Sequence, residues 1–238
     1  MTRKRYLLLI IGTAAVAAAP LGSRTGLLPV TVALALFALG LLVSLWALAR
    51  GVLWVLRRRG SELQQNRAAI ALSLAAGVIV VPAATILPTV GTPPIHDITT
   101  DTEDPPLFDA IVAIRGDESN PLEYRGPGLA ATQRAAYPDI QPLVVGRPPD
   151  EVLDMSRTVA EDFGWEIVTV DPDRGFMEAT DTTYWFGFKD DVAVRLRPVG
   201  DDATRVDVRS ISRFGGGDMG ANAARIRRFL EALTAAGS

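Results

Sequence analysis

Apolar residues fall in long unbroken runs in the first part of the chain and in short periodic patterns after it. Tyr6 to Leu21 carries no charge over about 16 residues, and Leu27 to Ala49 and Ala68 to Val90 carry none over about 23 each. A helix needs about 20 apolar residues to cross the hydrocarbon core of a bilayer. The second and third runs therefore predict spanning helices. The first has two readings. Arg3, Lys4 and Arg5 ahead of a short apolar stretch, with small residues from Ala15 to Ala19, fit a cleaved signal peptide. Pro20 directly after Ala19 disfavours cleavage there, so a retained helix is preferred. The expected membrane region is 1–90, with helices at about 6–21, 27–49 and 68–90.

From Gly91 the pattern breaks. Gly91-Thr92-Pro93-Pro94 reads as a linker, and the stretch to Pro149 is rich in proline, so 91–149 is expected to be a linker and wrapping arm with short elements. Within it, Pro105 to Arg115 could form a short helix or a strand. An α+β core is expected over 150–238. Its first helix begins at Pro148-Pro149-Asp150-Glu151, with proline early and acids in the first turn. Val152, Met155, Val159 and Phe163 repeat with helical period, and Gly164 closes the helix. Four strand-like runs follow, Trp165 to Asp171, Gly175 to Phe186, Asp191 to Pro198 and Thr204 to Arg213, joined by links short enough for hairpins. A last helix spans about Ala221 to Ala235. The order α-β-β-β-β-α predicts a four-stranded antiparallel meander flanked by helices.

Charge divides the chain at the same place. Up to Val90 there are nine basic residues against the single acid Glu62, a net of +8, and the remainder carries −11 within the overall −3. Arg3, Lys4 and Arg5 precede the first run, and Arg50, Arg57, Arg58, Arg59 and Arg67 lie around the link between the second and third. The link between the first and second holds only Arg24. The positive-inside rule places both basic clusters in the cytoplasm and sends the chain after Val90 outside. Trp46 and Trp54 suit an interfacial belt at the cytoplasmic end. No Asp, Glu, Lys or His lies within a run, which argues against a transporter. Arginine numbers 22 against two lysines, with abundant Ala and Gly, and this points to a GC-rich, bacterial genome. The expected location is the bacterial inner (cytoplasmic) membrane, multi-pass, with the C-terminal domain on the periplasmic or exterior side. The chain has no cysteine, which excludes a disulfide scaffold. The acidic exported part gives no support to nucleic-acid binding.

Candidate chemistry is sparse. The single histidine, His96, sits beside Asp97 and near Asp101, a set that could serve acid–base work. With no second histidine, no metal site is expected, and no cofactor. The competing reading is an arm fixed by Asp97, Thr99, Thr100 and Asp101 through side-chain to backbone hydrogen bonds. Gly215, Gly217 and Gly220 match G-x-G-x-x-G, but no parallel strand follows, so a dinucleotide site is rejected. Asp218 or Asn222 then caps the last helix, or the loop binds an anion. Alternation puts Arg195 and Arg197 on one face of a strand, and Asp207, Arg209 and Arg213 on one face of the next. If the strands pair, Arg195, Asp207, Arg209 and Arg213 form a cluster that could hold a carboxylate or phosphate. The competing reading is a ladder of Asp–Arg pairs on a solvated face. Arg225, Arg227 and Arg228 read as a solvated helix face. There is no G-x-S-x-G motif to nominate a serine nucleophile.

Several motifs recur as a set. PPIHDITTD (93–101) followed by Pro105, Pro106 and Phe108, QRAAYPDI (133–140), EATDTTYWFGFKDD (178–191), VDVRSISR (206–213) and DMGANAARIRRFL (218–230) resemble, in that order, the domain-of-unknown-function family 1499. The resemblance covers about 93–235. Gly216-Gly217 departs from it where a more polar or basic pair is expected. The resemblance implies a bacterial or plastid protein, often behind membrane helices, with no established activity. By motif, His96, Asp97, Asp101, Glu178, Arg195, Asp207, Arg209, Arg213, Asp218, Asn222 and Arg225 are the polar positions to examine.

These readings lead to an expectation of a membrane-anchored extracytoplasmic binding or scaffolding module. Its partners would be the lipid bilayer and an envelope lipid, another anionic ligand or an envelope protein. Two alternatives stand beside it: an envelope enzyme, hydrolase-like, using His96 with Asp97 or Asp101, and a structural subunit of a membrane complex.

Overall fold

The structure is a computed structural model and describes residues 3–57 and 61–237. Arg58 and Arg59 of the expected basic link lie outside the described residues. The chain divides into two compact units: Met1–Val90 with the tetrapeptide Tyr184–Gly187, and Gly91–Thr183 with Phe188–Ser238.

Among the described residues the first unit holds three α-helices, α1 (Arg3–Arg24), α2 (Val30–Leu56) and α3 (Glu62–Ile86). α1 outruns its apolar stretch at both ends, α2 starts later than Leu27 but continues past Ala49 to Leu56, and α3 starts earlier, at Glu62, and stops at Ile86, short of Val90. The buried positions of α2 are Ala33, Phe37, Gly40, Ser44, Ala47 and Gly51. Their spacing alternates four and three residues, which keeps one seam facing a partner helix. Apart from Phe37, the seam is built from small residues, so that backbones can approach. A Cβ on Gly12 would lie 2.7 Å from the Ser44 Oγ and 3.1 Å from the Gly40 carbonyl. Such small-residue crossings are a habit of helices that pack in lipid. Ser61 opens α3 as a capping box with Gln64. Among the described residues one helix, Val30–Leu56, is long and apolar enough to cross a membrane by length and composition. α3 carries Glu62 and Arg67 in its first two turns, and only Ala75–Thr85 stands out as a shorter apolar helix.

The second unit is α+β. Its elements are β1 (Asp97–Thr99), α4 (Pro127–Ala136), β2 (Leu143–Val145), α5 (Pro149–Asp162), β3 (Glu166–Asp171), β4 (Phe176–Thr182), β5 (Lys189–Val199), β6 (Ala203–Ser212) and α6 (Ala221–Gly237). All strand pairs are antiparallel, and the sheet order is β1-β6-β5-β4-β3, with β2 also on β6. The sheet thus has six strands instead of four, because two three-residue segments of the arm add to β6. They were invisible in sequence since three residues carry no period. The helix α4 was missed for a related reason: Pro127-Gly128 reads as a turn, yet proline at the first helical position is well accommodated. Pro105 to Arg115 resolves into a short 3-10 helix, Ala110–Ile114. Gly164 ends α5 with φ +75°, a left-handed conformation natural to glycine.

Strand alternation sorts the sheet into two faces. Met177, Ala179, Val192, Val194, Leu196, Val206 and Val208 lie on one and pack with Val152, Val159, Ile226, Phe229 and Leu233 of α5 and α6. Trp165 stacks on Phe229 with ring centroids 5.4 Å apart. The other face carries Glu178, Thr180, Asp191, Arg195, Asp207, Arg209 and Arg213. Asp97 of β1 and the arm between residues 101 and 124 supply partners to it, and other pairs form within the face.

Candidate functional site

Cross-strand register sets the polar face. Arg195 stands opposite Asp207, and Ala193 opposite Arg209, with Glu178 opposite Ala193 on the next strand. Three side chains on these strands hold the arm. Arg209 is fully buried, donating from Nε to Asp97 Oδ1 at 2.9 Å and from Nη2 to Asp97 Oδ2 at 2.8 Å. Its remaining donors reach the carbonyls of Pro106 and Leu122. Phe108 and Tyr124 flank the guanidinium at 5.1 and 5.5 Å. Burial, aided by the Asp97 carboxylate, pushes the Tyr124 phenol up to about 12. Glu178, also fully buried, accepts the backbone N–H groups of Asp109 and Ala110 at 2.6 and 2.7 Å, at the start of the 3-10 helix. Asp191 receives Arg213 through Nε and Nη2, pairs with Arg115 of the arm, and accepts from the Thr180 hydroxyl. Both Asp191 and Asp207 are completely buried.

These placements correct the expectation of a solvated ladder. The Asp–Arg pairs form, but beneath the arm. A buried carboxylate must be paired, and each of these is. Arg213 and Arg209 spend their charge on Asp191 and Asp97.

Arg195 belongs to a more open group. Its Nη2 donates to Asp207 Oδ2 at 3.1 Å and to the Asp104 carbonyl at 2.6 Å. Arg197 reaches Asp104, and Arg205 bridges Asp207 and Asp101. Three arginines thus face the three carboxylates Asp101, Asp104 and Asp207. Burial raises the Asp101 carboxyl, but backbone N–H donation from Asp104 and Glu103 and the Arg205 and Arg195 charges outweigh it, so its pKa is lowered. The Arg195 Nε–H is buried without a hydrogen-bond partner. Arg195 lines a cavity of about 200 Å³ with Leu107, Arg174 and Phe176. Arg174 lies over the Phe176 ring at 5.2 Å and pairs with Asp109.

The histidine lies apart from this chemistry. His96 is buried, its carbonyl accepts from Ser212 N–H and Asn222 Nδ2, and its Nδ1 has no partner. Asp97 is committed to Arg209, and Asp101 to Arg205 and to the N–H groups of Glu103 and Asp104. Among the described residues no group of three His, Cys, Asp or Glu side chains is placed to hold a metal ion.

Asp218 and Asn222 are structural in their contacts. Asp218 accepts the N–H groups of Gly220 and Asn222, each at 2.8 Å, which caps α6. Burial raises its pKa against those two backbone donors. Asn222 is a buried hub: Oδ1 accepts from Ser210 and Arg225, and Nδ2 donates to His96 O and Ser212 Oγ. Arg225, expected on a solvated face, is buried instead and pairs with Asp181 and Asp190. Helix periodicity puts it on the flank of the stripe of Ile226 and Phe229, where the two aspartates of β4 and β5 draw it inward. Arg227 pairs with Asp139, and Arg228 lies 3.9 Å over Phe163.

Sequence reasoning passed over Asp191, Arg174 and Gln133. Gln133 completes the edge of β1, accepting the Thr99 N–H at 3.0 Å and donating to the Thr99 carbonyl at 2.6 Å. Its presence in the QRAAYPDI motif was the available signal. Asp191 had one too, since Asp190-Asp191 directly precedes the apolar run Val192-Ala193-Val194 of β5.

Comparison with curated proteins finds no match. The family model described as a protein of unknown function, DUF1499, matches residues 97–233, from the start of β1 through most of α6. That span is more than half of the chain and contains Asp97, Glu178, Asp191 and Arg209 with the arm they hold: the chain belongs to the DUF1499 family.

Proposed function

We propose that the chain is a membrane-anchored binding module of the bacterial envelope, and that the ligand of its second unit is a small anion with an apolar portion. The observation that carries the reading is the cavity beside Arg174, Arg195, Leu107 and Phe176. Elsewhere on the polar face, Arg209 and Arg213 are consumed by buried carboxylates. Here Arg174, paired with Asp109, and Arg195, shared between Asp104 and Asp207, line a cavity with an aromatic ring and a leucine, and the Nε–H of Arg195 lacks a partner. Arginine presents a planar fork suited to phosphate or carboxylate. Leu107 is 73% exposed and offers an apolar surface for an attached chain. Envelope lipid headgroups and their breakdown products have this chemistry.

The test is titration of the full chain in a neutral detergent with hexyl phosphate, and with inorganic phosphate as the comparison. Hexyl phosphate binds more tightly, and the combined Arg174→Gln and Arg195→Gln substitutions abolish binding while leaving the circular dichroism spectrum unchanged. Equal binding by the substituted, folded protein overturns the reading.

The location reading has three helices in the cytoplasmic membrane and the second unit outside. Its support is the composition of α2, with mean hydropathy 2.5 over its most apolar window, and the asymmetry of basic residues on either side of the apolar runs. A reporter active only outside the cytoplasm, fused after Thr92, should be active. A silent but stable fusion reverses the orientation.

A further inference from the structure

The first unit contains a groove of about 330 Å³ that the second unit's chemistry does not use. Val16, Ala17, Pro20, Leu21 and Arg24 of α1 line it, with Tyr184 and Trp185. These α1 positions fall on one side of the helix, since residues three and four apart are neighbours. The groove is therefore graded along its length. Val16 and Ala17 make one end wholly apolar. Arg24, Tyr184 and Trp185 make the other end cationic and aromatic.

The polar end is held in place. Arg24 Nη1 donates to the Tyr184 carbonyl at 2.8 Å, and its guanidinium lies 5.8 Å from the Tyr184 ring. The Ser23 hydroxyl donates to the Phe186 carbonyl at 2.9 Å. Phe37 of α2 packs edge-on to Trp185 and Phe186 with centroids 6.2 and 5.4 Å away. Gly187, at φ +70°, passes so near that a Cβ there would lie 3.2 Å from the Arg24 Cα. Yet Tyr184 is 85% exposed, and Leu21 63%. Side chains with an apolar body and a polar tip, set beside an arginine where an apolar helix ends, are the composition of a bilayer interface.

We propose that this groove is a binding site for one phospholipid, with the phosphate at Arg24 and an acyl chain lying along Leu21, Pro20, Ala17 and Val16. The inference rests on the membrane reading above and adds a defined lipid position to it. The match is one of charge and polarity: among the described residues that line the groove, the cationic one, Arg24, stands at the aromatic end. Arg24 is also the only charged residue between the first two apolar runs, so the attraction is local to this site. An anionic headgroup is favoured over a zwitterionic one by about fivefold, the contribution expected of one arginine near a lipid surface.

Native mass spectrometry of the full chain released from detergent micelles provides the test, with dioleoylphosphatidylglycerol and dioleoylphosphatidylcholine as probes. The expected result is one retained lipid per chain, with phosphatidylglycerol preferred. Ala17 is exposed, so Ala17→Phe fills the groove without entering the α1–α2 seam, and retention should fall to the level of nonspecific adducts. Arg24→Gln should erase the headgroup preference. Equal retention by wild type and Ala17→Phe overturns the proposal while leaving the membrane reading intact. A chain recovered in the soluble fraction without detergent overturns both. A dimer that excludes lipid shows that a second copy occupies the groove and also overturns it.

Discussion

Arg209 and Asp97 form a two-point ion pair buried between the sheet and the arm, the guanidinium of β6 meeting the carboxylate of β1 at 2.9 and 2.8 Å. The two residues are neighbours because β1 pairs with β6 in a register that puts Asp97 opposite Ile211 and Thr99 opposite Arg209. The same guanidinium holds the carbonyls of Pro106 and Leu122. One side chain therefore fixes three separate points of a segment that has little regular structure.

Removing one member of this pair should be costly. Asp97→Asn or Arg209→Met leaves a buried charge without its partner and should destabilise the second unit by about 3–5 kcal/mol. The double substitution Asp97→Asn with Arg209→Met should be milder than the sum of the singles, because no charge is left behind. Denaturant unfolding of the full chain in detergent, followed by near-ultraviolet circular dichroism, measures both.

Glu178 should govern the order of the arm more than the stability of the sheet. Its carboxylate accepts two backbone N–H groups at the start of the 3-10 helix, and Glu178→Ala leaves both donors unsatisfied, at about 1–3 kcal/mol each. Hydrogen exchange should accelerate over residues 105–115. Exchange in β5 and β6 should change much less. Equal acceleration in all three would show that the arm and sheet open together.

Acid should loosen the Asp101 cluster. The folded pKa of Asp101 is lowered, as donors from Asp104 and Glu103 and the Arg205 and Arg195 charges overcome burial. A group depressed in this way binds fewer protons folded than unfolded, so its stabilisation is present above the unfolded pKa of about 4 and is lost as pH falls through the folded value. Asp101→Asn should lower stability at pH 7 and approach wild type at the acid end. Asp218 has the opposite sign. Burial raises its folded pKa, so its ionisation costs stability as pH rises through and beyond the carboxylate range. Asp218→Asn should flatten that fall, at the expense of one cap hydrogen bond. Melting temperatures of the three proteins between pH 3 and 7 give both signs.

Asn222 should tolerate no isostere. Asn222→Asp sets an acceptor against the His96 carbonyl where the amide now donates. A loss of about 1–3 kcal/mol follows from the two donors removed, toward His96 and Ser212. Asn222→Asp should melt earlier than wild type, and a melting temperature equal to wild type would refute the assignment of Nδ2 to these acceptors.

In the first unit, the α1–α2 seam depends on absent side chains. Gly40→Leu places a Cβ within 2.9 Å of the Gly12 carbonyl and must part the helices. Disulfide trapping between cysteines introduced at Gly12 and Ser44, where a Cβ on Gly12 would lie 2.7 Å from the Ser44 Oγ, should be slower in Gly40→Leu than in the parent.

The sequence by itself determined the elements that are periodic or long. Val152, Met155, Val159 and Phe163 announce α5, alternation announces β5 and β6, and uninterrupted apolar runs announce the helices of the first unit. These signals are local, since each residue's environment repeats along its own element. The motifs also sufficed to suggest the family. Tertiary structure alone decided whether the charged face was wet or dry. Arg195, Asp207, Arg209 and Arg213 share a face by alternation, but only the return of the arm over that face makes Asp207 and Arg209 buried. The arm's own elements were hidden for the same reason. β1 and β2 are three residues each, stabilised by pairing with β6, and Gln133 finishes β1 from 34 residues away. Arg225 likewise looked solvated until two aspartates from β4 and β5 met it. A long-range ion pair leaves no period in either of the segments it joins, so its partner is named only when the chain has folded.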